Sequence, residues 1–233
     1  MTPISAHWQA VKARIAVATR AAGRPVGTVT LLAVSKTFSA AHVKACHAAG
    51  QIAFGENYVQ EALEKIAALA GSLANPAIEW HMIGPIQSNK TRSIAEHFAW
   101  VHSVERDKIA QRLNDARPAH LPPLNVCIQV NVSGETSKSG IAPGAEIALA
   151  DMIATLPRLR LRGLMAIPEP TPDGAVRRAR FALLRRLQQA LIARGHPLDT
   201  LSMGMSDDLE DAIAEGATVV RVGTAIFGAR ETQ

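Results

Sequence analysis

The sequence is poor in aromatic residues and in cysteine, and each shortage argues against a class of protein. Aromatic residues make up 4% of the 233 residues, and Tyr58 is the single tyrosine. A platform that stacks the bases of single-stranded nucleic acid is therefore not expected. The two cysteines, Cys46 and Cys127, are too few for a disulfide-rich secreted protein. We expect both thiols to lie in the core of a cytoplasmic protein.

Two further absences concern membranes and metals. No apolar run approaches the roughly 20 residues needed to span a bilayer, and the amino terminus lacks a basic patch followed by an apolar stretch. The eight histidines and two cysteines do not follow a metal-ligand spacing. The sequence therefore predicts a globular protein with no membrane association, no secretory signal and no zinc site.

The basic net charge raises the question of a nucleic-acid partner. The formal net charge is +5 and the isoelectric point is about 9.6. The arginines are scattered, apart from one group at 158–162 that alternates with leucine and another at 177–180 on a predicted helix. We expect no nucleic-acid partner. A basic scaffold that binds RNA is the alternative, and salt-dependent gel shifts would detect it.

Eight short apolar runs of β type recur along the chain, and each gap between them is long enough for a helix. The predicted strands are 30–36, 51–55, 79–84, 99–103, 124–132, 159–167, 200–205 and 218–227. Predicted helices end at Gly50, Gly71, Gly195 and Gly216. The spacing of Ile4, Trp8, Val11 and Ile15 predicts one more helix before the first strand.

Strands that alternate with helices indicate parallel β/α units, and eight units favour a closed (β/α)8 barrel of the TIM type. A doubly wound open sheet is the alternative, because counting elements does not prove closure. No linker rich in proline, glycine or serine divides the chain. We therefore expect residues 1–233 to form a single α/β domain with an additional amino-terminal helix.

Lys36 ends the apolar run 31–35 and is the one lysine of seven in a strand-like segment. Partial desolvation of an ammonium group favours the neutral amine, which can form a Schiff base with an aldehyde. This position therefore suggests a carbonyl cofactor. The alternative is a lysine at a strand end whose side chain reaches water.

The last two β/α units suggest a phosphate site. Barrels often bind phosphate in the loops after strands seven and eight. Ser206 would supply a hydroxyl, and Gly223 would allow close approach of the backbone. The carboxylates of Asp207 and Asp208 argue against this, since they would repel phosphate and could simply cap a seventh helix that begins at Ser206 or Asp207. His81, inside strand three, is more typical of a core histidine than of a base.

Seven segments resemble the pyridoxal phosphate homeostasis protein family and fall in seven of the eight predicted units. They are AVSKT (33–37), FGENYVQE (54–61), WHMIGPIQSNK (80–90), QVNVSGE (129–135), RGLMAIP (162–168), LSMGMSDD (201–208) and RVGTAIFG (221–228). The family is similar to the amino-terminal barrel of alanine racemases and ornithine decarboxylases. The resemblance implies that pyridoxal 5′-phosphate (PLP) is the cofactor.

The resemblance also implies a set of cofactor-binding residues: Lys36, Asn57, His81, Ser206, Arg221, Gly223 and Thr224. Lys36 would carry the cofactor through a Schiff base, and Arg221 would face the pyridine nitrogen. Ser206 and the backbone of Gly223 and Thr224 would hold the phosphate, while Asn57 and His81 would line the pocket. We further expect Lys90 and Lys138, in loops after strands three and five, to attract the anionic cofactor.

Arg221 has a consequence for function. Arginine stays protonated, so beside the ring nitrogen it disfavours a pyridinium and leaves the cofactor a weak electron sink. We expect an intracellular carrier that stores, buffers or delivers PLP to apoenzymes, without catalytic residues or turnover.

The alternative is a PLP-dependent amino-acid racemase or decarboxylase. Racemisation needs a second acid/base group, which in alanine racemases is a tyrosine brought by a second domain across a dimer. This sequence has only Tyr58 and ends shortly after Phe227. A monomer without racemase activity is therefore expected.

Overall fold

Eight parallel strands pair in chain order and close into a barrel in the computed structural model, which describes residues 2–71, 77–135 and 139–229. The first strand pairs with the last, with Leu31 opposite Val220. This closure confirms the predicted (β/α)8 barrel and excludes the open sheet. The strands are β1 Thr30–Val34, β2 Ala53–Glu56, β3 Glu79–Met82, β4 Trp100–Val104, β5 Leu124–Gln129, β6 Leu159–Met165, β7 Thr200–Ser202 and β8 Val219–Val222.

Helices surround the barrel, and the additional amino-terminal helix is confirmed. The helices are α1 Pro3–Ala21, α2 Ala40–Ala48, α3 Val59–Leu69, α4 Thr91–His97, α5 Asp107–Ala116, α6 Glu146–Ala154, α7 Gly174–Ala193, α8 Leu209–Ala214 and α9 Thr224–Phe227, with a 3-10 turn at Ser88–Lys90. The four glycines predicted to end helices each lie two residues beyond a helix and have positive φ values.

Six of the eight predicted strands extend past their observed ends. The first ends at Val34 rather than Lys36, and the last ends at Val222 rather than Phe227 because Thr224–Phe227 is helix α9. The second and fourth begin later than predicted, at Ala53 and Trp100. Apolar residues continue beyond the hydrogen-bonded sheet, and a short apolar run does not distinguish strand from helix.

Side chains alternate between the two faces of each strand, and this alternation separates two parts of the core. On β1, Leu31 and Ala33 pack in the large cluster shared with the helices. Leu32 and Val34 pack with Ile83 in a smaller cluster inside the barrel. Successive residues at the end of any strand therefore reach different environments.

The amino-terminal helix and the cysteines follow the predictions. In α1, Val11 and Ile15 are buried, and Thr2 caps the helix by accepting a hydrogen bond from the Ser5 N–H. Cys46 and Cys127 are fully buried. Burial raises the pKa of each thiol to about 12, so both are protonated at neutral pH. No helix in the described ranges has the length and apolar character to cross a membrane.

Candidate functional site

A pocket of about 260 Å³ lies at the carboxyl ends of the strands, where the sequence predicts the site. Its walls include six of the seven predicted residues: Lys36, Asn57, Ser206, Arg221, Gly223 and Thr224. Val34, Ile83 and Ile167 supply apolar surface beside them. The pocket thus combines a lysine, an arginine and hydroxyl groups with an apolar wall.

Lys36 is directed into this pocket by the alternation of β1. Val34 ends the strand and lines the pocket, Ser35 points outward and is fully buried, and Lys36 is half-buried in the pocket wall. Lys36 therefore follows the strand instead of lying in it. The most buried lysine is a different one, Lys65 on α3, whose relative exposure is 4%.

Lys65 belongs to an acid–lysine cluster with Glu56 and Glu61, on the outer face of the sheet beneath Lys36. Its ammonium donates to Glu56 Oε1 at 2.7 Å, to Glu61 Oε1 at 2.6 Å and to the carbonyl oxygen of Ser35 at 2.7 Å. These three bonds use all three N–H donors of a lysine. The hydroxyl of Ser35 also donates to Glu56 Oε1, at 2.6 Å.

The same cluster holds the backbone on the other side of Lys36. Thr37 has a φ of 69°, in the left-handed region that a β-branched residue rarely adopts. Its N–H donates to Glu61 Oε1 at 2.6 Å. Burial raises the pKa of Glu56 in spite of the adjacent Lys65 ammonium. The residues before and after Lys36 are thus both tied to one buried cluster, which orients the segment that carries the lysine.

The predicted phosphate-binding residues lie in the loops after β7 and β8 and line the same pocket. Gly223 occupies the cap position of α9, and Thr224 is its first residue. A Cβ atom at Gly223 would lie 3.0 Å from the carbonyl oxygen of Val34, so a larger residue would crowd the pocket wall. Ser206 is half-buried, and its carbonyl oxygen accepts a hydrogen bond from Arg14 at 3.1 Å.

The helix that follows the seventh strand, α8, begins later than the sequence suggests. Helix α8 starts at Leu209, with Asp208 as its cap residue, so neither Ser206 nor Asp207 begins it. Asp208 Oδ1 accepts the N–H of Met205 at 2.6 Å, which makes a local turn and directs this carboxylate to the backbone. Ser206 is therefore left in a loop whose residues line the pocket.

Arg221 is 3% exposed and is held by acceptors inside the barrel. Its Nη1 donates to the carbonyl oxygen of Ser202 at 2.6 Å and to Ser202 Oγ at 2.8 Å. Its Nη2 donates to the carbonyl oxygen of Ala166 at 2.8 Å. Burial lowers the pKa of Arg221 to about 10, so the guanidinium is still charged at neutral pH.

His81 is not among the residues that line the described pocket, and the cofactor role that the family resemblance implies for it stays a prediction. It is in the middle of β3, and its side chain is buried inside the barrel. One ring nitrogen lies 2.8 Å from Glu79 Oε1, and the other lies 2.9 Å from Nε2 of His102. The ring stacks on Trp100 with a centroid distance of 5.4 Å and an interplanar angle of 5°. The interpretation as a core histidine describes it better.

Four residues that support the site are not predicted from the sequence. Ser202 and His102 lie inside the barrel, and Glu56 and Lys65 lie outside it. Strand alternation is the signal that could have found the interior pair, since Ser202 shares the inward phase of β7 and His102 that of β4. The signal for Lys65 is its helical spacing, since it shares the buried stripe of α3 with Val59, Ala62 and Leu69.

Of the two loop lysines expected to attract the cofactor, Lys90 is not among the residues that line the described pocket. Lys90 ends the 3-10 turn and is half-buried. Lys138 lies outside the residues that the structure describes. Within the described ranges, no group of three histidine, cysteine or acidic side chains could hold a metal ion.

A larger groove of about 740 Å³ lies along α1 and is lined mostly by alanine. Its charged residues include Arg14 and Glu210, which pair with each other at 2.9 Å. The lining residues of this groove are paired charges and small apolar side chains, which include neither a nucleophile nor a group of anion-binding donors. The smaller pocket at the strand ends therefore has the chemistry of a functional site.

Comparison with known proteins assigns the family. The profile of the alanine racemase N-terminal domain family matches residues 7–231. The pyridoxal phosphate homeostasis protein of Pseudomonas aeruginosa is 63% identical over 99% of this chain and 97% of its own length. The chain belongs to the pyridoxal phosphate homeostasis protein family. The member from Escherichia coli K12 is 52% identical over 99% of this chain and 98% of its own length.

Solved structures support the same family. PipY of Synechococcus elongatus, with PLP bound, is 37% identical, has a TM-score of 0.79, and covers 92% of this chain and 100% of its own. A protein of Bifidobacterium adolescentis is 38% identical, has a TM-score of 0.89, and covers 97% of this chain and 94% of its own. Alanine racemase from Streptomyces coelicolor is 22% identical with a TM-score of 0.72 over 95% of this chain and 58% of its own, so it shares the fold.

Proposed function

We propose that this chain binds PLP in the pocket at the strand ends and serves in intracellular PLP homeostasis as a carrier that stores, buffers or delivers the cofactor. The observation that carries the proposal is the convergence of Lys36, Arg221 and Ser206 on one pocket of about 260 Å³. The relatives named for PLP homeostasis align over nearly their whole length, and PipY, solved with PLP bound, shares the fold with a TM-score of 0.79.

The residues of the pocket fit this group. When bound, PLP supplies an aldehyde carbon that reacts with a primary amine, and Lys36 is the lysine in the wall. The hydroxyl groups of Ser206 and Thr224, together with the backbone at Gly223 and Thr224, are donors suited to a phosphate. Apolar contacts from Val34 and Ile83 suit the faces of a pyridine ring.

Arg221 supports a role without turnover. Its guanidinium is charged at neutral pH, with a pKa of about 10, and it has no lone pair that could accept a proton. Among the described residues its hydrogen bonds use both Nη1 hydrogens and one Nη2 hydrogen, which leaves the Nε hydrogen and the second Nη2 hydrogen as donors for a ligand. A charged donor beside a ring nitrogen keeps that nitrogen unprotonated and limits carbanion chemistry.

The single tyrosine gives further support. Tyr58 is 59% exposed and is not part of the pocket wall, so it is not positioned as the second acid/base that racemisation requires. We therefore favour a carrier over the racemase or decarboxylase alternative. Delivery to apoenzymes, a single monomeric domain and a cytoplasmic location belong to the same proposal.

The first experiment maps the cofactor attachment. PLP-loaded protein is reduced with borohydride, digested and analysed by mass spectrometry. We expect the modified peptide to contain Lys36, and we expect the Lys36→Ala variant to lose the modification while Lys90→Ala, the control, retains it. Modification of another lysine in the wild type, or an unchanged modification in Lys36→Ala, would refute the assignment.

The second experiment tests the phosphate site. Ser206→Ala and Thr224→Ala each remove a hydroxyl that we assign to the phosphate, which should weaken PLP binding by about 1.5 to 3 kcal/mol apiece. Fluorescence titration of PLP measures the dissociation constants. Unchanged affinity in both variants would mean that the phosphate binds elsewhere.

The third experiment tests for turnover. Incubation of the loaded protein with L- and D-amino acids in deuterium oxide, followed by NMR, reports exchange of the α-proton. We expect no appreciable exchange. A rate on the order of 1 per second or faster lies in the ordinary enzyme range and would favour the racemase alternative.

A further inference from the structure

A line of polar side chains crosses the barrel interior and ends at Arg221. It starts at Glu79, at the amino end of β3, whose side chain is 44% exposed. Neighbouring atoms along the line are 2.8, 2.9, 2.8 and 2.8 Å apart. We call it the interior chain, and its members in order are Glu79, His81, His102, Ser202 and Arg221.

The arginine fixes one hydrogen bond of the interior chain and leaves the next open to either direction. Arg221 can only donate, so Ser202 Oγ accepts from it. That oxygen has a second lone pair and a hydroxyl hydrogen, so it can accept from Nδ1 of His102 or donate to it. When it donates, Nδ1 carries no proton, and His102 is the Nε2–H tautomer that donates to Nδ1 of His81.

The other end of the chain agrees with this direction. If Nδ1 of His81 accepts, its proton is on Nε2, which lies 2.8 Å from the carboxylate of Glu79. A carboxylate can only accept, so with neutral histidines the Glu79 end requires this direction and the Arg221 end allows it. With both histidines neutral, every member donates or accepts correctly. The reverse direction would place an unprotonated nitrogen of His81 against the Glu79 carboxylate, unless one more proton is added.

We propose that Ser202 and His102 are positioning residues that hold Arg221 for the pocket, and that a proton bound at His81 is communicated to Arg221 by a change of tautomer at His102.

The proton transfer balances within the interior chain. His102 passes its Nε2 proton to Nδ1 of His81, which becomes an imidazolium, and Nδ1 of His102 takes the hydroxyl proton of Ser202. One proton added from water on the pocket side replaces the proton that Ser202 Oγ has lost. Nδ1 of His81 then donates to Nε2 of His102, and the proton of His102 is on Nδ1. His102 remains neutral but becomes a donor to Ser202 Oγ. That oxygen then has donors on two sides, from His102 and from Arg221, and its own hydrogen loses its acceptor.

The charged and titratable groups around the interior chain favour the neutral state at neutral pH. Those that face it from each packed element are Glu79, His81, His102, Cys127, Arg162, Asp208 and Arg221. Burial lowers the pKa of His81, and burial with the charges of His81 and Arg221 lowers the pKa of His102 well below the ordinary value. The Cys127 thiol, with a pKa of about 12, stays protonated.

The decisive test is nitrogen NMR of the histidines in the protein without cofactor. Protein labelled with 15N-histidine is compared with His81→Asn and His102→Asn to assign the two rings. At neutral pH we expect both rings as Nε2–H tautomers. On acidification we expect one shared midpoint below the ordinary histidine pKa, at which His81 becomes an imidazolium and His102 changes to Nδ1–H. Two independent midpoints, or an Nδ1–H tautomer of His102 at neutral pH, would overturn the inference.

A second test examines the positioning of Arg221, and this part depends on the proposed function. Ser202→Ala breaks the link between Arg221 and His102, so we expect the dissociation constant for PLP to rise roughly tenfold and His102 to lose its tautomer preference. Thr19→Val is the control, because it removes a buried hydroxyl in α1 that bonds to the Ile15 carbonyl oxygen. We expect wild-type PLP affinity and histidine spectra in the control.

A failure of the proposed function can be distinguished from a failure of the present inference. If wild-type protein does not bind PLP, the proposed function is wrong and the NMR result still decides the interior chain. If Ser202→Ala changes the His102 tautomer but binds PLP as the wild type does, the positioning role is overturned. Should Ser202→Ala fail to fold, His81→Asn breaks the chain from its far end. That variant must then change the His102 tautomer, since an unchanged spectrum would overturn the inference.

Discussion

The pocket is supported from two sides by buried polar groups of different kinds. On the outer face of the sheet, the acid–lysine cluster of Glu56, Glu61 and Lys65 binds the backbone around Lys36. Inside the barrel, the interior chain reaches Arg221 through neutral histidines. The outer support depends on opposite charges, and the inner support depends on the direction of hydrogen bonds.

This difference teaches what each support can do. Buried charges of opposite sign attract each other strongly. Removal of one partner leaves the other charge buried and unpaired, which lowers the free energy of unfolding by a large amount. A chain of neutral donors and acceptors contributes less to stability, yet each link constrains the proton on the next. We therefore expect the outer cluster to dominate the stability of this end of the barrel and the interior chain to dominate its response to protons.

The largest expected effect is the loss of the buried ammonium. Lys65→Met leaves Glu56 buried without its counter-ion, and we expect the free energy of unfolding to fall by about 3 to 5 kcal/mol. Urea unfolding measures this change. The control is Lys44→Met on α2, an exposed lysine, which should change stability by less than about 0.5 kcal/mol.

A double variant separates charge from packing. In Lys65→Met combined with Glu56→Gln, the unpaired charge is gone, so we expect part of the lost stability to return. Equal losses in the single and double variants would indicate that the cluster contributes packing alone, and the contrast between the two supports would disappear.

The next effect is the response of stability to acid. His81 and His102 have folded-state pKa values below 6.5, so between 6.5 and those values the unfolded chain binds more protons. The contribution of these neutral histidines to the free energy of unfolding is therefore fully present above pH 6.5. It decreases as the pH falls below 6.5, by up to about 1.4 kcal/mol per pH unit for each proton. Thermal unfolding across this range should show a smaller slope for His102→Asn. An unchanged slope would contradict neutral buried histidines.

The outer cluster should respond in the opposite direction. The pKa of Glu56 is raised above 4.5, so the folded form binds more protons than the unfolded chain between 4.5 and that raised value. Its contribution to stability is largest below pH 4.5 and decreases as the pH rises through the raised value. Glu56→Gln should remove this dependence, and its persistence in the variant would assign it to another group.

The smallest expected effect concerns the backbone after Lys36. Thr37→Gly relieves a left-handed conformation at φ 69°, and its N–H can still donate to Glu61. We expect stability to rise by about 1 kcal/mol or less, because the flexibility of glycine in the unfolded chain offsets part of the gain. Thr155→Gly, at a helix end with φ −84°, is the matched control and should lose stability. A loss at Thr37 as well would indicate that its side chain supports the turn.

Much of the site could be predicted because it follows the ends of strands. Lys36 and Arg221 lie in, or directly after, apolar runs that recur with the period of β/α units, and parallel strands bring such positions to one rim. The predicted ends of the strands are less accurate, because apolar residues such as Ile226 and Phe227 continue the apolar run of the strand into a helix. The position of His81 inside the third strand and its burial agree with the core histidine that the strand pattern predicts, whereas the partner His102 lies too far along the chain for a pattern to find.

The sequence by itself determined the repeating β/α units and the additional amino-terminal helix. These depend on local periodicity and on residue type, which are properties of a chain read in order. The tertiary structure decided how Lys65 meets Glu56 and how His102 meets Ser202, 100 residues away. Such pairs depend on barrel closure and on the phase of each strand, because these set which side chains share the same buried space.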